Sequence, residues 1–417
     1  MKILQRSSAS TASRTARHAA AKGRGTTVAL AHRFEHWERE PFDDGWTSGE
    51  PQAPDDCGPD GKATHAPAPV QWPHTHRVSP RTEVRDEQAR TILSRNASPD
   101  IGFEVSINPY RGCEHGCSYC FARPTHAYLD LSPGLDFETR IVAKRNAAAL
   151  LRRALSRPDY VPRSLALGTV TDAYQPVERK LRITRAVIEV LAHCHHAFAV
   201  ITKSALIERD LDLLAPMAEQ RLAAVYVSVT TLDTELARRL EPRAAAPYRR
   251  LQTIERLARS GVPVGVSVSP LIPFVNEPEL EQILAAAASA GATSAFSVVL
   301  RLPWEVAPIF RDWLQTHLPD RAERVMARVQ DMRGGRDNDP RFGSRMTGQG
   351  PWAALVRQRL EIARRRYGLA SRGEALDLRA FRRPAPETAI EGFVSHRSAE
   401  ILAPAQSEPP GAQFELF

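Results

Sequence analysis

The sequence predicts an α/β fold in which helices pack on a parallel sheet. Strand-like and helix-like stretches alternate six times between Gly102 and His317, the pattern of successive βα units. The strand-like stretches are also continuously Val, Ile, Leu and Ala, as strands buried on both faces are. At 417 residues, 42% of them hydrophobic, the chain holds one large core with extensions. No apolar run is long enough to span a bilayer. The five cysteines are no disulfide framework, since three are clustered and Cys57 and Cys194 stand alone. A free thiol cluster needs a reducing interior, so a cytoplasmic protein is expected.

Residues 1–80 read as a mostly disordered tail, because Ser, Thr, Ala, Arg and then Pro, Gly, Asp and His leave little to bury. The absence of acidic residues before Glu35 resembles a transit peptide, but an extended start in an Ala/Arg-rich sequence accounts for it more simply. Within the tail, HRFEHWEREPFDDGW is expected to pack as a short peptide through Trp37, Phe42 and Trp46. A core follows over 81–319. Its strands are GFEVSIN (Gly102–Asn108), SLALGTV (Ser164–Val170), AFAVIT (Ala197–Thr202), AAVYVSVT (Ala223–Thr230), VPVGVSVS (Val262–Ser269) and TSAFSVVL (Thr293–Leu300). The intervening helices fall at Lys144–Ser156, Ile183–Ala192, Leu206–Ala218, before Arg259, at Glu277–Ala290 and at Glu305–His317. Residues 320–384 form a helical, Arg-rich extension. In it Trp352–Leu369 repeats apolar residues at helical spacing, and the glycine-rich Phe342–Trp352 is a lid loop or a connector. Residues 385–417 read as a flexible tail.

Function concentrates in Asn108–Arg123, NPYRGCEHGCSYCFAR. Cys113, Cys117 and Cys120 are close enough in sequence for one loop to aim three sulfurs at one point. Thiolates favour zinc or iron–sulfur clusters. Either centre wants four ligands, so a distant residue closes the site or one metal position stays open. Gly112 and Gly116 permit turns that larger residues resist.

The spacing C-x3-C-x2-C, with Tyr119 before the third cysteine, resembles the signature of the radical S-adenosylmethionine (SAM) superfamily. The wider stretch is most similar to its spore photoproduct lyase-like branch. The resemblance covers roughly Ile101–Pro319 and implies a partial (β/α)6 TIM-type barrel. It implies a [4Fe–4S] cluster on the three cysteines, with SAM chelating the fourth iron. It further implies reductive cleavage of SAM to a 5′-deoxyadenosyl radical, fed by an electron donor such as flavodoxin or ferredoxin. In βα barrels ligands meet the loops after the strands, so the implied SAM contacts lie there. Asp172, Tyr174 and Gln175 stand in TDAYQPVE, where the superfamily's usual Gly-Gly-Glu is absent. Lys203 suits the SAM carboxylate, and Ser228 and Thr230 suit the ribose. Asn276 and Tyr119 fall beside adenine. Each has a plain structural alternative: a capped turn around Asp172, Ser204 as an N-cap, Asn276 as another, and buried satisfied hydroxyls at Ser228 and Thr230. No cysteine follows the second strand, where the lyase carries its hydrogen donor, so photoproduct repair in the strict sense is not implied.

His193, Cys194, His195 and His196 end a helix and read as C-terminal side chains favoured by the helix dipole, ahead of a second metal site. The net charge of +8 is concentrated: Arg321–Arg383 holds sixteen Arg against seven Asp or Glu. Such a segment can meet nucleic-acid phosphates or form a solvated surface. A non-enzymatic iron–sulfur redox sensor that binds nucleic acid and a zinc-stabilised binding module are the competing classes.

Overall fold

The computed structural model describes residues 81–385, together with 16–17, 23–26, 28–30 and 32–34. The expected disorder of the rest of 1–80 and of 386–417, and the packing of Trp37, Phe42 and Trp46, lie outside the described residues. In chain order the strands of the main body are β1 (Glu83–Glu87), β2 (Leu93–Arg95), β3 (Val105–Ile107), β4 (Tyr110–Arg111), β5 (Arg140–Lys144), β6 (Leu165–Leu167), β7 (Phe198–Thr202), β8 (Ala223–Ser228), β9 (Val264–Leu271) and β10 (Ser294–Val299). The six expected apolar runs are β3 and β6–β10. They lie side by side in sequence order, all parallel, as consecutive βα crossovers require.

The helices α1 (Ala147–Ser156), α2 (Ile183–His193), α3 (Leu211–Glu219), α4 (Thr234–Leu240), α5 (Pro247–Arg259), α6 (Leu280–Ser289) and α7 (Val306–His317) follow the strands. Strand residues of one parity (Val200, Val225, Val266 among them) are buried in one core with Ile188, Leu214 and Ile254. Each such side chain stabilises the fold by about 1.5–3 kcal/mol. The opposite parity faces inward. There the small Ala199 and Ser267 leave room, and Ile201, Tyr226 and Phe296 are only partly buried.

Two features are not legible in the sequence. β2 adds antiparallel to the edge of β3, and β1, β5 and β4 make a separate small sheet. β1 is the charged, exposed EVRDE, which pattern alone does not mark as a strand.

The sheet is an open partial barrel, with β10 and β2 at its two ends. The C-terminal extension, with α8 (Pro319–Asp331) and α9 (Gly350–Arg366), is seated on that open side. The Val299 N–H donates to Met346 O at 3.0 Å. Buried Arg345 grips Asp100 through two bonds of 2.8 and 2.7 Å. Arg333 donates to Leu300 O at 2.8 Å and Arg345 O at 2.8 Å. The chain then crosses beneath the sheet. Ala370 O accepts from Ala295 N at 2.9 Å, the Gly373 N–H reaches Tyr226 Oη at 3.1 Å, and the Arg382 N–H reaches Cys194 O at 2.7 Å.

His196, at the end of the HCHH run, is fully buried. Its Nδ1 faces Ala197 O at 2.9 Å and its Nε2 faces Tyr160 Oη at 2.8 Å. Burial pushes this imidazole down to about 4. It is therefore a neutral core group, not the cation that a helix C-terminus favours.

Candidate cluster and cofactor site

The cysteine loop leaves β4 and turns twice through left-handed glycines, Gly112 at φ 76° and Gly116 at φ 68°. Neither tolerates a side chain: a Cβ on Gly112 would lie 2.9 Å from Phe137 O, and one on Gly116 2.7 Å from a Glu138 oxygen. The Cys113 N–H donates to Phe137 O at 2.9 Å, and the Ser118 N–H to Leu240 O at 3.1 Å. All three thiols are free; Cys113 and Cys117 are buried and Cys120 is half-buried. They lie within electrostatic reach of one another. Burial pushes Cys117 up to about 12 and Cys113 well above its ordinary value.

Gln175 is fully buried and clamps this loop. Its Oε1 accepts from Glu114 N at 3.0 Å and its Nε2 donates to Gly112 O at 3.1 Å. Arg123, also fully buried, ties the far side. Its Nε donates to Cys117 O at 2.9 Å and its Nη2 pairs with Glu138 at 2.5 Å. The other Glu138 oxygen accepts from Gly25 N at 2.9 Å, so residues 24–26 sit directly on the cysteine loop. Leu30 packs on Ile309, and Arg33 pairs with Glu305 at 3.0 Å.

The remaining predicted residues divide. Asp172 is a knot of the turn after β6: it accepts from Tyr174 N at 2.9 Å, Thr202 Oγ1 at 2.7 Å and Lys203 N at 2.7 Å, and lies 3.3 Å from His115 Nδ1. Burial alone would raise its carboxyl, but His115 and these donors hold it well below the usual carboxylate range. Tyr174 is fully buried in the main core beside Asp210 and Glu178, and its charged neighbours are these rather than the cysteines. Asn276 bonds its own loop, accepting from Ile272 N at 2.7 Å and donating to Thr230 O at 2.7 Å. It stands at the N-cap of the next turn without a side-chain cap bond. Ser204 does cap, accepting from Leu206 N at 3.2 Å.

The Lys203 ammonium lies within the electrostatic field of Cys117 and Glu241, and among the described residues no ion pair of it is found. Tyr119 and Thr230 meet at Glu241. Tyr119 Oη donates to Glu241 in a short bond, and Thr230 Oγ1 donates at 2.5 Å. Ser228 is buried, and its carbonyl accepts from Arg250 at 3.1 Å. Burial opposes ionisation of Glu241, yet Arg250, Lys203, Thr230 and Tyr119 pull it down to about 2. Glu241, Arg250, Arg123, Glu138 and His115 were not anticipated. Single charged residues in ARRLEPR or CEHGC carry no periodicity that marks them as buried.

The donor set fits an iron–sulfur core. Three soft thiols stand on one glycine-turned loop, beside one lysine ammonium not engaged in any ion pair found among the described residues. No three His, Cys, Asp or Glu side chains among the described residues converge tightly enough to hold a single ion.

The sequence model of the radical SAM superfamily matches residues 107–287, the span from the end of β3 through α6, so that span carries a domain of the radical SAM superfamily. A [4Fe–4S] cluster and SAM are its cofactors. Uncharacterised proteins of Mycobacterium tuberculosis and Mycobacterium bovis are each 39% identical over 226 residues, 54% of this chain and 66% of theirs. The match thus spans about two thirds of those relatives' length. An uncharacterised protein of Methanocaldococcus jannaschii is 24% identical over 202 residues, 48% of this chain and 73% of its own. In fold, the chain is similar to a spore photoproduct lyase double mutant with bound AdoMet and dinucleoside spore photoproduct. That likeness has a TM-score of 0.50 at 13% identity, covering 69% of this chain and 81% of that one. No helix among the described residues is long and apolar enough to cross a membrane.

Proposed function

We propose that Cys113, Cys117 and Cys120 hold the [4Fe–4S] cluster of a radical SAM enzyme acting from the 81–319 core in the cytoplasm. When bound, the cluster supplies one electron, from a donor such as flavodoxin or ferredoxin, for cleavage of SAM to methionine and a 5′-deoxyadenosyl radical. The chain's own residues do the rest. Gln175 and Arg123 fix the loop that carries the thiols. Lys203 takes the SAM carboxylate as a point charge, held there by the bond from its own N–H to Asp172. Ser228 and Thr230 would hold the ribose, and Tyr119 and the Asn276 loop would wall the adenine. Asp172, Gln175 and Asn276 serve by shaping the walls, since their polar atoms are already engaged. Tyr174 acts at most through the core beneath them. The observation that carries this reading is that three free thiols on one glycine-turned loop lie within electrostatic reach of one another, with the Lys203 ammonium after β7 in the field of Cys117.

The substrate class we infer is a hydrogen-atom donor with an anionic part, nucleic acid being the leading case. The arginine-rich extension on the barrel's open side supports this reading. Anaerobic reconstitution with iron and sulfide, reduction with dithionite and chromatography for 5′-deoxyadenosine form the test. An iron–sulfur chromophore with SAM cleavage is expected. A cluster that never cleaves SAM under strong reductant would favour a redox-sensing protein, and zinc without iron a binding module.

A further inference from the structure

Glu241 ends α4 at the rim of the barrel and is buried to 2% exposure. An ion pair with Arg250, at 2.5 Å, would by itself be a packing detail, replaceable by apolar side chains. The carboxylate does more than pair. One oxygen accepts from both Tyr119, on the cysteine loop, and Thr230, beyond β8; the other accepts from Arg250. Arg250 in turn donates to Ser228 O at 3.1 Å and Ala245 O at 2.7 Å, and the Ala245 N–H donates to Lys203 O at 3.2 Å. Four groups assigned to the SAM site, Tyr119, Lys203, Ser228 and Thr230, therefore hang from one carboxylate and its arginine. Of the other charges near the loop, Arg123 pairs with Glu138 and Arg243 with Glu114, and Asp172 faces His115, while Lys203 is a cation in the field of both Cys117 and Glu241.

We infer that Glu241 is a positioning residue of the cofactor site. It orients Tyr119 and Lys203, and it places a fixed negative charge against the cysteine loop that keeps the cluster's reduction potential low. The inference rests on the assignment of the cluster to the three cysteines. Its physical basis is that net charge around a cluster sets its potential, and that a buried charge is screened far less than one in water. An anion beside Cys117 opposes the added electron. Together with Cys117 it also favours the charged form of Lys203 before SAM arrives.

The test is a dye-mediated redox titration of the reconstituted full chain without SAM, followed by electron paramagnetic resonance of the reduced cluster. Glu241→Gln keeps the shape and both acceptor positions on one oxygen but removes the charge. It should shift the midpoint to a less negative potential with the same iron per chain. Glu241→Asp, which keeps the charge, should stay near wild type. A Glu241→Gln midpoint equal to wild type overturns the inference. Should that chain fail to fold because Arg250 is left unpaired, Glu241→Gln with Arg250→Met removes both buried charges. It should shift the midpoint in the same direction by less, and no shift there overturns the inference equally. Wild-type chain that takes up no iron, or Cys113→Ser, Cys117→Ser and Cys120→Ser chains that keep it, would instead strike the cluster assignment.

Discussion

Replacing Gln175 by Leu separates two roles that one residue cannot easily share. Its amide either contacts SAM, as the resemblance to the superfamily implies, or holds the cysteine loop, as its hydrogen bonds indicate. Leu has nearly the same volume, so no cavity opens. What is lost is the acceptor for Glu114 N and the donor to Gly112 O, both in a fully buried setting. A buried polar group left without its partner costs about 1–3 kcal/mol, so the two together cost roughly 2–6 kcal/mol. Against a total stability of about 5–15 kcal/mol that is a large fraction, and it falls on the backbone that aims Cys113. Urea unfolding of the metal-free chain should therefore show a lower midpoint at unchanged slope, and reconstituted Gln175→Leu should retain less iron per chain. Unchanged stability and iron content, combined with weakened SAM binding by calorimetry, would refute the clamp and return Gln175 to the cofactor.

Other expectations follow from the same contacts. Lys203→Ala should weaken SAM binding about tenfold or more, the worth of one charge-assisted bond, with iron content intact; unchanged affinity removes Lys203 from the site. Gly25→Ala should unseat the N-terminal segment, because its Cβ would lie 1.5 Å from Gly116 O; limited proteolysis before residue 35 should accelerate, and an unchanged digestion pattern contradicts the seating. Arg345→Met leaves Asp100 without its buried partner, so the 341–349 loop should become the first cleavage site, at a cost of about 3–5 kcal/mol. His196 titrates at about 4 when folded and near 6.5 when free, so the unfolded chain takes up the proton first as the pH falls. Stability should drop by about 3 kcal/mol between pH 6.5 and 4 on this account, and His196→Gln should flatten that slope in urea titrations; an equal slope in both chains shows that other groups set it.

The barrel strands were legible in the sequence because strands buried on both faces must be apolar throughout, and VPVGVSVS or AAVYVSVT needs no tertiary information to be read so. The cysteine loop was legible for a similar reason: three thiols within eight residues, with glycines ahead of two of them, have few uses. What the sequence could not settle was the employment of the polar residues around that loop. Asp172, Gln175 and Asn276 follow strands and look available, yet their atoms are engaged with Lys203 N, Glu114 N and Ile272 N. Glu241 and Arg123 look like surface charges and are buried partners of the loop. Local composition records which groups a segment carries. Which of them are left free is decided by contacts between residues far apart in the chain, such as the 122 positions between Tyr119 and Glu241, and these exist only once the strands have lined up and their rims have met.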